Sequence, residues 1–243
     1  MIKAQLADIW VYLSATPLVG LTFTLVVYQI AHALYRRANF NPLLNPVALS
    51  VITLVLLLLV TRTSYQTYFD GAQFVHFLLG PATVALAVPL YAQMDKLKAM
   101  LLPVIGALFV GALIGIVAAV GIGWLTGASP ETLRSLAPKS VTTPIAMGLA
   151  QQIGGLPSLT AILVVATGIV GATAARYVLN ALRITDHSVR GFATGMAAHG
   201  IGTARAFQVS EEAGAFSGLA MGLNGLMTSL LLPLLAWLLG RFF

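Results

Sequence analysis

Long apolar runs, separated by short polar loops, dominate the pattern of this chain. The runs cover residues 9–35, 46–61, 99–125, 158–182 and 213–239. Most of them reach the roughly 20 apolar residues that a helix needs to cross a hydrocarbon core of about 30 Å. We therefore predict an all-α polytopic membrane protein. Its first helix is expected to be retained, because no small-residue cleavage site follows it.

Three further stretches are apolar but interrupted by proline or glycine, at residues 69–93, 133–155 and 189–207. Irregular backbone at membrane depth is tolerated only where protein or a water-filled cavity satisfies its polar groups. We predict discontinuous or re-entrant helices here, which gives about 7–8 membrane segments in total. Whether these stretches cross fully or turn back is left open by the sequence, as is the orientation of the protein.

The first two interrupted stretches resemble each other. A shift of 57 residues, from Pro81 to Pro138, also aligns Thr83 with Ser140 and Val84 with Val141. Paired interrupted segments in corresponding positions are the best sequence indication of a transporter binding site. The pattern predicts an internal repeat within one integral-membrane domain that spans residues 1–243.

The second stretch carries the letters PKSVTT at residues 138–143. We predict that Pro138 begins a half-helix, because proline is favoured in the first turn. The backbone N–H groups of that turn attract anions, and Lys139 adds a positive charge. Pro81 and Thr83 repeat the arrangement without the lysine, so two half-helix ends are expected to face each other across a central site. Alternatively, both prolines only kink packed helices.

The third stretch places His199 among four glycines, with Thr203 and Arg205 following it. An unperturbed histidine titrates near pH 6.5, so His199 is a candidate for proton exchange, or else a packed hydrogen-bonding residue. Arg205 is either a carboxylate ligand or an interfacial arginine. Glycines 214, 218 and 222 are spaced for close helix packing, and we expect Gly218 to contact the backbone of another helix.

Composition restricts the chemistry further. Hydrophobic residues make up 58% of the chain and charged residues 8%, and the mean hydropathy is +0.92. The net charge of +6 is scattered through short loops, so we expect a lipid bilayer around the protein and no nucleic acid partner. There is no cysteine, and no nucleophile–base pair or metal cluster is apparent, so neither an enzyme nor a cofactor is expected.

All seven carboxylates lie in termini, loops or edges of the predicted spans. Cation and proton antiporters usually keep such a group at the membrane midplane. An anionic substrate therefore suits this sequence better than a cation. The carboxylates are Asp8, Asp70, Asp95, Glu131, Asp186, Glu211 and Glu212.

Five strings along most of the chain form a recognisable set: FLLGPATVALAVPLY from Phe77, PKSVTTPIA from Pro138, IGGLPSLTA from Ile153, AAHGIGTARA from Ala197 and AFSGLAMGLNG from Ala215. Together they resemble the LrgB/CidB family of bacterial membrane proteins. The resemblance implies a multi-pass protein of the bacterial cytoplasmic membrane, often encoded with a small LrgA/CidA-like membrane partner. It also implies a distant similarity to transporters with crossed discontinuous helices.

The resemblance implies two competing functions. One is a holin-like or antiholin-like regulator of murein hydrolase export and autolysis. The other is a carrier of small carboxylates such as glycolate, glycerate or pyruvate, as in the similar plastidial glycolate/glycerate translocator. We expect the carrier, as a homo-oligomer. The substrate-binding residues predicted from the sequence are Pro81, Thr83, Lys139, Ser140, Thr142, Thr143, His199 and Arg205.

Overall fold

The fold is all-α, as predicted. A computed structural model describes residues 17–38, 40–41 and 44–238, and these residues form twelve helices and no strand. The predicted start of the first helix at Ile9, the predicted end of the last at Leu239, and Asp8 lie outside the described residues. The helices are α1 (Pro17–Arg37), α2 (Pro46–Thr61), α3 (Tyr65–Phe77), α4 (Leu79–Ala85), α5 (Ala87–Ala92), α6 (Met94–Ala99), α7 (Leu101–Leu125), α8 (Pro130–Leu136), α9 (Thr143–Gln152), α10 (Pro157–Ala181), α11 (His187–Phe207) and α12 (Glu211–Leu238).

Five helical stretches within the described residues are long and apolar enough to cross a membrane. They are Leu18–Arg37, Tyr65–Ala92, Leu101–Leu125, Pro157–Ala181 and Glu211–Leu238, and the shorter α2 is also apolar. Four of these stretches and α2 correspond to the five uninterrupted runs of the sequence. The fifth, Tyr65–Ala92, is the first interrupted stretch, in which α3, α4 and α5 are separated at Leu78 and Leu86.

The described residues fall into two compact units, divided between Ala85 and Leu86. The predicted repeat pairs residues 69–93, most of which belong to the first unit, with residues 133–155 of the second. Both the repeat and the single domain remain predictions.

The first unit contains α1 to α4. Asn45 caps α2, because its Oδ1 accepts hydrogen bonds from the N–H groups of Val47 (2.9 Å) and Ala48 (3.2 Å). Helices α1 and α3 are joined by a hydrogen bond between the hydroxyls of Thr24 and Tyr68 (2.7 Å). Pro81 and Thr83 both lie in α4.

The second unit is built on the long helices α7, α10 and α12. The helix α11, between α10 and α12, is a hairpin and not a straight rod. His199 interrupts it with φ 40° and ψ −131°. A Cβ atom added to Gly202 would lie 2.8 Å from the Thr194 carbonyl oxygen. Residues eight apart are about 12 Å apart along a straight helix, so the second arm (200–207) must fold back on the first arm (187–198).

A second hairpin, formed by α8, residues 137–142 and α9, lies between α7 and α10. Its base is closed where the Leu156 N–H donates to Ser135 Oγ (2.8 Å) and the Thr160 hydroxyl donates to the Ser135 carbonyl oxygen (3.0 Å). Its tip reaches the middle of α7, because Ser140 Oγ lies 3.9 Å from the position of a Cβ on Gly115. The two interrupted stretches of this unit therefore turn back.

The two hairpins enter the second unit from opposite ends. The base of the α8–α9 hairpin lies near the end of α7, where Leu133 contacts Gly123. The α11 hairpin starts beside the beginning of α7, where Ser188 Oγ lies 3.7 Å from Met100 Sδ. We call this second location the arginine end, because the arginines 176, 183, 190 and 205 lie toward it.

The prediction for Gly218 is wrong. This glycine faces the side chain of Leu86 at ordinary contact distances of 3.4–3.8 Å, and Gly222 faces open space. The close approach is made by Gly191 and Gly195 on the first arm of α11. A Cβ at either position would collide with the carbonyl group of Ala213 or Ser217, respectively, on α12. Small residues do bring two helix backbones together here, but the glycines belong to the neighbouring helix.

Candidate functional site

The tips of the two hairpins are connected through Asn224, a buried residue near the middle of α12. Its Nδ2 donates to the carbonyl oxygens of Ser140 and Met196, each at 3.2 Å. Its Oδ1 accepts a hydrogen bond from the Thr228 hydroxyl (3.3 Å). An amide NH2 has two hydrogens to donate, so one side chain satisfies a carbonyl from each tip. These two interrupted segments thus meet within the second unit.

The Ser140 carbonyl is available to Asn224 because of a nearby proline. In a helix that began at Pro138, this carbonyl would accept from the N–H of residue 144. That residue is Pro144, which has no N–H and whose ring would clash with the carbonyl. The prediction that Pro138 begins the half-helix is therefore wrong. The helix begins at Thr143, and Pro138 lies in the preceding turn.

A cavity of about 610 Å³ extends from the hairpin tips to the arginine end of the unit. Most of its wall is apolar, supplied by α7, the first arm of α11 and α12. Its polar lining residues among the described part of the chain are Lys139, Ser140, Ser188, Asn224 and Thr228. Lys139 is the one charged residue among them. An apolar cavity with a few convergent polar groups is the usual form of a small-molecule site.

Lys139 and Ser140 are half-buried at the inner part of this cavity. The Lys139 ammonium contacts Ser140 Oγ at 3.3 Å, and within the described residues it has no carboxylate within 4 Å. Gly111 and Gly115 of α7 also line the wall. The cavity thus presents an unneutralised cation, which favours an anionic occupant.

The structure does not bring all the predicted site residues to this cavity. Lys139 and Ser140 line it, whereas Thr142 and Thr143 lie at the start of α9 outside its lining. Arg205 lines a second, smaller cavity. Pro81 and Thr83 belong to the first unit, and their role remains a prediction.

His199 is buried but is not part of the lining of the larger cavity. Its Nε2 lies 2.9 Å from the Val164 carbonyl oxygen on α10, so Nε2–H is the donor. Gly168 makes room for the ring, since a Cβ there would lie 2.7 Å from His199 Cε1. The Thr203 hydroxyl donates to the His199 carbonyl oxygen (2.9 Å). These contacts fix the tip of the α11 hairpin against α10.

An ion-pair cluster holds the arginine end together. Lys96 contacts Glu212 at 2.6 Å and Asp186 at 3.0 Å, which joins α6 to the starts of α11 and α12. Hydrogen bonds to Glu212 and then Asp186 raise the pKa of Lys96. The pKa of Asp186 lies well below its usual range, chiefly because the Ser188 hydroxyl and the Val189 N–H donate to the carboxylate, with Lys96 adding to the effect. Lys96 and Asp186 are therefore charged near neutral pH.

Sequence reasoning missed Asn224, Thr228 and Gly168. Asn224 is the one amide in the otherwise apolar run 213–239, and a buried amide must find hydrogen-bond partners. That signal was available. The sequence gave no such signal for Gly168, because only the position of the His199 ring shows why a side chain is excluded there.

Comparison with known proteins agrees with the family resemblance of the five sequence strings. The sequence profile of the LrgB-like family matches residues 24–238. The uncharacterized protein YxaC of Bacillus subtilis is 35% identical over 215 residues, which cover 88% of this chain and 93% of YxaC. The holin-like protein CidB of Staphylococcus epidermidis is 31% identical over 224 residues, 92% of this chain and 96% of CidB.

The antiholin-like protein LrgB of Bacillus mycoides is 27% identical over 219 residues, 90% of this chain and 95% of LrgB. No solved structure matches the chain. The family profile and the relatives both extend over the interrupted helices that form the site. This chain belongs to the LrgB-like family.

Proposed function

We propose that this protein is a secondary carrier of a small carboxylate anion, of the glycolate, glycerate or pyruvate type, in the bacterial cytoplasmic membrane. The observation that carries the proposal is the cavity at the hairpin tips, whose one charged lining residue among those described is Lys139. A lysine at membrane depth is expensive unless it has a partner or a function. A carboxylate substrate supplies that partner.

The backbone arrangement supports a carrier as well. Substrate sites of many carriers lie near the bilayer midplane, where interrupted helices of two halves meet. Here the two tips enter from opposite ends and share Asn224 in the middle of α12. In this proposal α7 with the α8–α9 hairpin, and α10 with the α11 hairpin, are two halves of inverted topology.

The distribution of lysines and arginines supports an assignment of the end of the second unit that faces the cytoplasm. Among the described residues of the second unit, Lys96, Lys98 and four arginines lie toward the arginine end, against Arg134 near the opposite end. Short cytoplasmic loops carry an excess of lysine and arginine. The arginine end is therefore cytoplasmic in this proposal, and the cavity opens toward the cytoplasm.

A second candidate function is a holin-like or antiholin-like regulator of murein hydrolase export and autolysis. The names of the holin-like CidB and antiholin-like LrgB relatives favour it more directly than they favour transport, because neither name mentions a carboxylate. In that case the hairpins mediate assembly with another copy of this chain or with an LrgA/CidA-like partner. Lys139 then binds no substrate.

Flux measurements in proteoliposomes distinguish the two candidates. We expect saturable uptake of labelled glycolate or pyruvate by the purified full chain, without release of a trapped neutral dye. Dye leakage at the same protein density, without saturable carboxylate uptake, would support the holin-like function and overturn the carrier.

A substitution at Lys139 tests the site itself. Lys139→Ala should reduce uptake at low substrate concentration by about tenfold or more, since charge-assisted hydrogen bonds contribute about 1.5–3 kcal/mol. Lys139→Arg should retain part of the activity, because it keeps the charge. Arg134→Ala, outside the lining of the cavity, is the matched control. Equal uptake by wild type and Lys139→Ala at every concentration would remove Lys139 from the site.

A further inference from the structure

A second cavity, of about 270 Å³, lies between α10 and the α11 hairpin toward the arginine end. Three arginines line it: Arg176 from α10, Arg190 from the first arm of α11 and Arg205 from the second arm. No aspartate or glutamate is among its lining residues in the described part of the chain.

The α11 hairpin brings Arg190 and Arg205 to the same cavity. Arg190 and Arg205 are 15 residues apart (205 − 190), which corresponds to about 22 Å along a straight helix. The break at His199 folds the second arm back, so both arginines border the same cavity. Arginines that snorkel separately to a membrane surface need no such arrangement.

Two of the three guanidinium groups have N–H groups to spare. Arg190 uses Nη1 to donate to Asn180 Oδ1 (2.9 Å) and to the Ile184 carbonyl oxygen (2.7 Å), so its Nε and Nη2 have no partner among the described residues. Arg176 makes no hydrogen bond or ion pair within the described residues. Arg205 donates from Nη1 to Gln208 Oε1 (2.9 Å). The cavity therefore has positioned, charged donors for a ligand with several oxygens.

Within the described residues, no carboxylate lies within 4 Å of the guanidinium groups of Arg176 or Arg190. Asp186 and Glu212 are bound to Lys96, and neither lines the cavity. Glu211 is exposed at the start of α12 and also lies outside the lining. Arg176 and Arg190 place like charges at one small cavity, and a bound anion reduces the repulsion between them.

We propose that this cavity binds the phosphate group of an anionic phospholipid head group. Arginine binds phosphate oxygens in a bidentate manner and is the preferred residue for that purpose. Basic pockets between membrane helices on the cytoplasmic side are suited to acidic lipid head groups. Beside Arg176, α10 exposes the large side chains of Tyr177 and Val178, which gives acyl chains a surface to lie on.

The site is separate from the carboxylate cavity. The linings of the two cavities have no residue in common among those described, and Lys139 belongs only to the larger one. The proposal therefore does not depend on transport of a carboxylate, and its failure would leave the proposed function untouched.

The test uses the purified full chain in detergent and follows its thermal unfolding. Anionic phosphatidylglycerol, zwitterionic phosphatidylcholine and inorganic phosphate are added in separate titrations. A ligand that binds only the folded state raises the unfolding temperature as its concentration increases. We expect stabilisation by phosphatidylglycerol at concentrations where phosphatidylcholine and inorganic phosphate have little effect.

The variants are Arg176→Gln and the double variant Arg176→Gln with Arg190→Gln. Arg176 is exposed and has no partner in the described part, so its substitution should leave the protein folded without lipid. We expect about a tenfold weaker apparent affinity for phosphatidylglycerol in the single variant and loss of stabilisation in the double variant. The control is Arg183→Gln, an exposed arginine at the same end that does not line the cavity.

An equal loss in Arg183→Gln would mean that bulk charge attracts the lipid, and would overturn the site. Unchanged lipid stabilisation in the double variant would overturn it too. Stabilisation by inorganic phosphate but not by phosphatidylglycerol, abolished in the double variant, would overturn the lipid assignment in favour of a soluble phosphate ligand.

Discussion

The two hairpin tips of the second unit differ in the side chains that they expose to the larger cavity. The tip of the α8–α9 hairpin is an unwound stretch, 137–142, that exposes Lys139 and Ser140 to a cavity. The tip of the α11 hairpin is a single break at His199, whose ring is fixed on the backbone of α10 and lies outside that cavity's lining. Both carry polar side chains deep in an apolar chain, yet only the α8–α9 tip presents polar side chains to the cavity. A polar residue at membrane depth can serve the fold alone.

The largest effect should come from breaking the packing that holds the first arm of α11 against α12. Gly195→Leu places a side chain against the Ser217 carbonyl, where backbone would have to move. Overpacking usually costs about 1–3 kcal/mol, and a collision with backbone belongs at or above the upper limit. We expect little folded protein by size-exclusion chromatography. Gly222→Leu, whose Cβ meets nothing within 4 Å, is the control and should remain folded. Comparable yields of the two variants would contradict the close packing.

Asn224→Asp removes the link between the two tips with almost no change in shape. A carboxylate donates no hydrogen bond and a protonated carboxyl donates only one, so at least one of the carbonyls of Ser140 and Met196 loses its donor. Each unsatisfied buried group costs about 1–3 kcal/mol. We expect a marked decrease in the unfolding temperature at neutral pH. Asn224→Gln, which keeps both donors on a longer side chain, should be milder. A fully stable Asn224→Asp variant would show that the tips do not depend on this residue.

The effect of His199→Gln should be smaller. Glutamine can still donate a hydrogen bond to the Val164 carbonyl, so we expect a loss of stability of about 1 kcal/mol. If His199 serves the fold alone, uptake driven by an inward pH gradient should persist in this variant. Glutamine cannot titrate, so loss of gradient-driven accumulation with retained substrate exchange would make His199 the coupling residue. Empty vesicles control for passage of the undissociated acid through lipid.

Much of the fold was predictable because its signal is local. The uninterrupted apolar runs predicted α2 at residues 46–61 and the other long helices within two residues of their observed ends, where those ends are described. The interrupted stretches were also recognised from proline and glycine. Each of these features depends on residues adjacent in the sequence.

The contacts between these elements were harder to predict because they depend on distant residues. One error was local: the conflict between Pro144 and the Ser140 carbonyl, which excludes a helix start at Pro138, involves residues only four apart and could have been recognised in the sequence. The glycine spacing on α12 is as regular as that on α11, but Gly218 faces a side chain and Gly195 faces backbone. The meeting of the tips at Asn224 joins residues 84 positions apart, which no local pattern reveals.

The accessibility of position 140 tests the proposed carboxylate site most directly. The sequence contains no cysteine, so a single introduced cysteine is the only thiol that can react. A Ser140→Cys variant should react with a membrane-impermeant thiol reagent from the cytoplasmic side, because the cavity extends from Ser140 to Ser188 at the arginine end. Glycolate or pyruvate should slow the reaction, whereas the neutral analogue glycolamide should not. Thr126→Cys, exposed at the opposite end of α7, should react from the other side without protection. Reaction of the Ser140→Cys variant only from the side that labels Thr126→Cys, or at a rate unaffected by carboxylates, would contradict a carboxylate site at the hairpin tip.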